Sequence, residues 1–141
     1  LRGMLKLITL LIVLQINPVA ELQWEKRVLI VSADSSASLD DQTQQQRFSD
    51  AKKEMMDRDL VVYRLYNDHW FGPSDEPLEK GQTDVIREAY AVPTDQFMVV
   101  LIGKDGSVKL RSDEPVSVND LFNLIDRMPM RRAEMRKKGQ E

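Results

Sequence analysis

The sequence contains no cysteine and only one histidine, His69. The missing thiols exclude disulfide bonds, thiolate nucleophiles, iron–sulfur clusters and zinc–thiolate sites. One histidine cannot form a histidine-rich metal site, and we predict neither a metal ion nor a cofactor. The chain also lacks an excess of positive charge, because its formal net charge is −3. Nucleic acid is therefore not expected as a partner.

The first 20 residues differ in character from the rest of the chain. Arg2 and Lys6 flank the start of an apolar run over residues 7–16, and Asn17 and Pro18 end it. This run is much shorter than the roughly 20 residues that a membrane-spanning helix needs. We therefore predict a signal peptide over residues 1–20 and export to the periplasm or the extracellular space. A buried N-terminal helix and an uncleaved anchor are the alternatives.

The remaining residues, 21–141, are predicted to form one domain with a basic helical tail. Their length and the 42% hydrophobic content of the chain suit a single packed core. Short apolar runs over residues 28–31, 60–66 and 97–102 predict three strands. Asp105-Gly106 then predicts a hairpin turn into a fourth strand, in which Val108 and Leu110 face inward.

Three helices complete the predicted domain. Helical periodicity covers residues 39–57 and 84–91, and a last helix is capped by Ser117. Residues 67–82 are expected to be a loop, and Pro129 to start a new helical segment. The order β-α-β-α-β-β-α predicts an α/β fold with a four-stranded mixed sheet and flanking helices, which is a thioredoxin-like arrangement.

A family resemblance agrees with this order. Within residues 97–136, the segment LIGKDGSVKLR, the link containing Pro115 and the ending IDRMPMRRAEMR carry it. The chain resembles a domain-of-unknown-function family found in secreted bacterial proteins, at the C-terminus of sushi-repeat extracellular proteins and in equarin-like matrix proteins. The resemblance implies a thioredoxin- or peroxiredoxin-like fold and secretion. It implies no catalytic residues.

The serine-rich segment over residues 32–38 follows the first strand. Thioredoxin-like enzymes carry their reactive thiol at this place, where the helix dipole lowers its pKa. Serines and an aspartate cannot cycle between dithiol and disulfide, so turn formation and helix capping explain this segment best. Anion binding by the helix N-terminus is the alternative.

Two clusters of charge are candidate binding sites. Lys104, Asp105, Lys109 and Arg111 lie in or near the hairpin turn, and alternate residues of a strand share one face. The ending is strongly basic, with Arg131, Arg132 and Arg136 as the candidate contacts for an acidic partner or an anionic membrane surface. In both clusters the alternative is a solvated surface without a partner.

His69 and Trp70 lie in the predicted loop and form a third candidate. Exposed loop aromatics can anchor a binding partner, although they more often fold back over the edge of a core. A lone histidine beside Asp68 is a weak catalytic signal, because nucleophilic catalysis needs a nucleophile next to the base.

These observations predict an exported, non-catalytic thioredoxin-like module. Its partner would be a protein or an acidic macromolecule in the envelope or extracellular space. A non-thiol enzyme or a small-anion-binding protein of the cell envelope is the alternative.

Overall fold

A computed structural model describes residues 16–139 of the protein. The strands are β1 (Arg27–Ser32), β2 (Leu60–Leu65), β3 (Trp70–Phe71), β4 (Met98–Ile102) and β5 (Val108–Ser112). The helices are α1 (Leu39–Ser49), α2 (Lys52–Asp57), α3 (Lys80–Tyr90), α4 (Val118–Asp126) and α5 (Pro129–Lys138). A short 3-10 helix, Ala20–Leu22, precedes β1.

The strands form one mixed sheet in the order β3-β2-β1-β4-β5. The central strand β1 is parallel to β2, and the other neighbouring pairs are antiparallel. The predicted mixed sheet is confirmed, but it has five strands instead of four in the described part of the chain. The additional strand arises because Trp70 and Phe71 pair with the end of β2. A strand of two residues is too short to show a repeating pattern, so the sequence predicts only a loop there.

The core lies on both faces of the sheet. Side chains of β1 alternate between the faces. Leu29 and Val31 pack in a cluster with Ile125 of α4, and Val28 and Ile30 pack in a second cluster with Ile86 of α3. All six residues of β1 are buried, which explains why its four central residues, 28–31, form a continuous apolar run.

Two helix boundaries differ from the prediction. The single helix expected over residues 39–57 is broken after Ser49, and Ala51 leaves helical geometry with φ −126°. Helix α3 begins earlier than expected, because Glu79 and Gln82 form a capping box before its first turn. The predicted cap of Ser117 on α4 and the helix start at Pro129 are confirmed.

The inward orientation predicted for Val108 is wrong. Its side chain is 40% exposed, whereas Leu110 packs against the core. The pairing of β4 with β5 shifts register here, since Leu101 pairs with Leu110 but Ile102 pairs with Val108. This bulge places an extra residue, Lys109, in β5 and interrupts the alternation on which the prediction depended.

Most of the predicted signal peptide, residues 1–15, lies outside the described residues. The segment that follows packs on the domain. Val19 is buried among the side chains of one core cluster, and Asn17 donates a hydrogen bond to the Tyr90 hydroxyl at 3.2 Å. A cut after Ala20 would therefore remove one side chain from the core, and the cleavage itself stays a prediction.

Ala91, which ends α3, provides a test of the helix boundary. It is exposed and adopts the left-handed conformation, with φ 50° and ψ 47°. This conformation costs an L-residue roughly 1–2 kcal/mol, part of which the greater unfolded-state entropy of glycine offsets. Ala91→Gly should raise the free energy of unfolding by about 0.5–1 kcal/mol. Ala89→Gly, at an exposed position in the last turn of the same helix, should lower it by up to about 1 kcal/mol. Urea denaturation measures the change in the free energy of unfolding for both variants. Changes of the same sign would contradict the helix boundary at Ala91.

Candidate functional site

The segment between β1 and α1 occupies the place where thioredoxin-like enzymes react. The Ser38 hydroxyl accepts the backbone N–H of Asp41 at 3.3 Å, and an Asp34 carboxylate oxygen accepts the N–H of Ser35 at 2.8 Å. Asp40 and Asp41 lie in the first turn of α1. The chain's own oxygens therefore already complement the positive end of the helix dipole.

Asp41 is held in place by a buried hydrogen bond. The Tyr66 hydroxyl donates to its carboxylate at 2.7 Å, and each of the two residues is only 2% exposed. Burial, together with the hydrogen bond to Asp41 and its negative charge, raises the pKa of Tyr66 to about 12. The tyrosine therefore remains a proton donor to Asp41 at physiological pH.

A buried glutamine of α1 connects this helix to the link before α4. Gln44 is fully buried, its amide N–H donates to the carbonyl of Val116 at 3.1 Å, and its side-chain oxygen accepts the N–H of Val116 at 2.7 Å. The side chain thus completes the hydrogen bonds of the link before α4, much as a neighbouring strand would.

Ser32, at the end of β1, also has a structural environment. Its hydroxyl donates to the carbonyl of Pro93 at 3.0 Å and accepts a hydrogen bond from Arg87, also at 3.0 Å. Arg87 donates in addition to the carbonyls of Pro93 and Tyr66, at 2.6 and 3.1 Å. Desolvation lowers the pKa of Arg87, although nearby carboxylates oppose the shift. An arginine cannot deprotonate the hydroxyl, so this arrangement does not activate a nucleophile.

His69 and Trp70 lie at the outer edge of the sheet. The His69 ring contacts an Asp68 carboxylate oxygen at 2.6 Å. It also packs at a tilt against the Tyr66 ring and edge-on against the Phe71 ring, with centroid distances of 4.7 and 5.5 Å. Trp70 is partly buried and packs against a core cluster. The two residues therefore cover an edge of the core, which is the alternative that the sequence favours.

The second candidate cluster is built around a buried ion-pair network, which we call the C-terminal clamp. Arg27, only 1% exposed at the start of β1, donates from both terminal nitrogens to the Glu134 carboxylate of α5, at 3.1 and 3.2 Å. Lys104 of the hairpin turn donates to Glu134 at 2.6 Å and to Asp59 at 2.8 Å. The clamp thus joins the first strand, the turn after β4 and the last helix.

A second group of ion pairs extends the C-terminal clamp. Arg131 is 2% exposed and donates to Asp126 at 2.9 Å and to Asp57 at 2.8 Å. Arg58 pairs with the same Asp126 at 2.8 Å, and its guanidinium lies 4.2 Å from the ring centre of Phe122. Helix α5 is therefore fixed to α2 and α4 as well as to β1.

The candidate basic residues differ in their surroundings, and only two of them are buried. Lys104 and Arg131 are buried in ion pairs, and Lys109 pairs with Asp105 at 2.9 Å. Arg111 donates to the carbonyl of Tyr90 at 2.6 Å and to that of Ala91. Arg132 and Arg136 are exposed on α5. The turn and α5 meet at the clamp, at the start of the central strand, whereas His69 and Trp70 lie at or beside the edge strand β3.

The clamp carboxylates have lowered pKa values. Burial alone would raise the pKa of Glu134, but hydrogen bonds from Arg27 and Lys104 and their positive charges lower it. Burial alone would also raise the pKa of Asp126 and that of Asp59. Hydrogen bonds from Arg58 and Arg131 lower the pKa of Asp126, and a hydrogen bond from Lys104 lowers that of Asp59. All three groups therefore bind their protons less tightly in the folded chain.

Sequence reasoning misses Trp24, Arg27 and Glu134 as site residues. Trp24 is 61% exposed and borders a cavity of about 240 Å³ that reaches to the start of α5. Arg27 and Glu134 look like ordinary surface charges in the sequence, because the two residues that pair are 107 positions apart. The only signal in the sequence is that Arg27 directly precedes the apolar run over residues 28–31.

The described residues, 16–139, also lack two features. They contain no group of three or more histidine, aspartate or glutamate side chains arranged to hold a metal ion. None of their helices is long and apolar enough to cross a membrane.

The fold is that of thioredoxin-like peroxiredoxins. The chain superposes on a Plasmodium yoelii Prx1a with a TM-score of 0.56 at 15% identity, covering 87% of this chain and 82% of that one. Plasmodium yoelii thioredoxin peroxidase I gives a TM-score of 0.56 at 16% identity, covering 86% of this chain and 80% of that one. Plasmodium vivax 2-Cys peroxiredoxin gives a TM-score of 0.57 at 16% identity, covering 85% of this chain and 72% of that one. At such identities the likeness concerns the fold alone.

The chain belongs to the family described as domain of unknown function DUF4174, whose model matches residues 18–134. The match ends at Glu134, so it includes both ends of the Arg27–Glu134 pair. The predicted membership of a domain-of-unknown-function family with this fold is confirmed. A comparison with curated proteins returns no match.

Acid should weaken the C-terminal clamp. Folding lowers the pKa values of Glu134, Asp126 and Asp59. Their ion pairs therefore stabilise the fold fully at pH values above the unfolded-state pKa, which is 4.5 for the glutamate and 3.8 for the aspartates. This stabilisation is lost as the pH falls from the unfolded-state pKa through the lower pKa of the folded state. Glu134→Gln should lower the free energy of unfolding by about 2–4 kcal/mol at pH 7, because Arg27 stays buried without a counter-charge. Its stability should also depend less on pH below 4.5. Urea titrations of the native chain and the Glu134→Gln variant between pH 3 and 7 measure both effects. The same pH dependence of stability in the two proteins would contradict the role assigned to Glu134.

Arg131 and Lys137 separate the structural role of α5 from its surface charge. Arg131→Ala should destabilise the chain by about 3 kcal/mol, because it removes a buried cation that Asp57 and Asp126 share. Lys137→Ala removes the same charge from an exposed position of the same helix and should cost at most about 0.5 kcal/mol. Thermal and urea unfolding provide the comparison. Equal losses would show that Arg131 does not hold the helix.

Proposed function

We propose that the protein is an exported, non-catalytic thioredoxin-like module that binds another protein outside the cytoplasm. The observation that carries the proposal is the closed segment between β1 and α1. There the hydrogen bonds of Ser38, Asp41 and Gln44 are made within the chain, in the place where a thioredoxin-like enzyme presents its reactive group. Export is supported by the basic and apolar start of the sequence.

The same geometry argues against the alternatives. The N-terminus of α1 already faces Asp40 and Asp41, so an added anion would meet two carboxylates. A non-thiol enzyme using His69 would need a nucleophile beside the ring, but the ring is packed between aromatic side chains and Asp68.

Affinity capture with chemical cross-linking in an envelope extract tests the proposal, with the full chain as bait. A second bait carries Arg132→Glu and Arg136→Glu on the exposed face of α5, and leaves the buried Arg131 intact. The matched control carries Lys52→Glu and Lys53→Glu on the exposed surface of α2. Thermal unfolding verifies that all three baits fold. We expect one protein to be enriched by the native and control baits.

The α5 bait then locates the contact. Loss of the enriched protein with Arg132→Glu and Arg136→Glu would indicate docking through the basic face of α5. Its retention by all three baits would support the module and place the contact elsewhere. If no bait enriches a protein above background, the module proposal is wrong and the search turns to small ligands.

A further inference from the structure

The segment before β1, residues 17–22, is part of the folded domain. Val19 is 3% exposed and belongs to the same core cluster as Ile86 of α3. Leu22 is partly buried and packs against that cluster as well. Burial of a valine side chain stabilises a fold about as much as burial of other core residues does. A chain without Val19 would therefore leave a gap in this cluster.

Asn17 holds the segment in place through its side chain and its backbone. Its side-chain oxygen accepts the backbone N–H of Val19 at 3.0 Å and that of Ala20 at 3.2 Å. Its side-chain amide donates to the Tyr90 hydroxyl at the end of α3, and its carbonyl accepts the N–H of Glu21 at 3.3 Å. Asparagine thus starts the turn that leads into the short 3-10 helix and directs Val19 into the core.

Two independent observations place the start of the folded unit at residue 17 or 18. The exposure of the chain changes there, because Ile16 is 57% exposed whereas Asn17 and Pro18 are partly buried and Val19 is buried. The family match also begins within this segment, at residue 18. The domain therefore includes residues that the signal-peptide pattern assigns to the removed segment.

A cut after Ala20 is poorly suited to this boundary. It would remove Val19 from the core and the hydrogen-bond partner of the Tyr90 hydroxyl. A signal peptide is removed before the exported chain folds, so the fold itself cannot protect the segment. The residues around the cut must do so, and Pro18 stands three positions before it, where a small residue is preferred.

We propose that the functional chain retains residues 17–20, and that Pro18 prevents a cut after Ala20. The folded unit then starts at Asn17, ahead of the boundary that the signal-peptide pattern predicts. This inference rests on the export in the proposed function and names the form of the module that is exported. A chain cut after Ala20 would be a destabilised version of the same fold.

Export from a bacterial host with a periplasm tests where the chain is cut. The full chain is expressed with its own N-terminal segment, and intact-mass spectrometry of the protein in the envelope fractions identifies its first residue. We expect the first residue to lie at or before Asn17. Pro18→Ala changes the three residues before the cut to Ala-Val-Ala, which is a favoured cleavage site. We expect the exported variant to begin at Glu21.

Thermal unfolding tests the contribution of the segment to the fold. Val19→Ala in the full chain should lower the melting temperature by roughly 5–10 °C, because it removes buried apolar surface. The matched control is Ile16→Ala, at the exposed neighbouring position, and it should change the melting temperature by at most about 2 °C.

A double variant separates the cut from the substitution that causes it. Ala20 is exposed, so Ala20→Gln places a large residue before the cut without disturbing the core. The exported chain with Pro18→Ala and Ala20→Gln should stay uncut. Its melting temperature should lie about 10 °C above that of the cut Pro18→Ala chain, which lacks Val19 and Asn17.

Each part of the inference has a result that would overturn it. A native exported chain that begins at Glu21, or a Pro18→Ala chain that still begins at or before Asn17, would reject the role of Pro18. Equal melting temperatures of Val19→Ala and Ile16→Ala would reject the start of the folded unit at Asn17. A native chain found only in the cytoplasm would reject the exported module instead, and the Val19→Ala comparison on the purified full chain would still decide the boundary.

Discussion

The buried ion pair between Arg27 and Glu134 is the constraint on which the rest of the structure depends. A guanidinium that is 99% removed from water at the start of the central strand must have a partner, because an unpaired buried charge costs several kcal/mol. Glu134 is that partner, and it comes from the last helix. The basic C-terminal helix is consequently part of the folded domain and not a tail appended to it.

The sequence predicts the parts of the fold whose information is local. A continuous apolar run identifies β1, the Asp-Gly pair identifies the turn, and Ser117 and Pro129 mark helix starts. The bulge in β5 and the two-residue strand β3 escape prediction, because each depends on pairing with a distant strand. Arg131 and Arg132 are adjacent and chemically identical, yet one is 2% exposed and the other lies at the surface. Only the positions of Asp57 and Asp126 in space distinguish them.

The two ends of β1 have different roles. Open α/β sheets usually bind ligands beyond the carboxyl ends of their strands. In this chain that end is closed by Asp41, Gln44 and Arg87. The cavity beside Trp24 lies at the other end of the strand, roughly 20 Å away for six residues of extended chain. The carboxyl end of β1 is therefore filled by the chain's own side chains, whereas a cavity remains at its amino end.

The Arg27–Glu134 pair also determines when the chain can finish folding. The two residues are 107 positions apart, so nearly the whole polypeptide must be present before the pair forms. A nascent chain that ends before Glu134 would still hold Arg27 beside an uncovered strand end, without this carboxylate to compensate its charge. Helix α5 can therefore dock against β1 only after synthesis has passed Glu134.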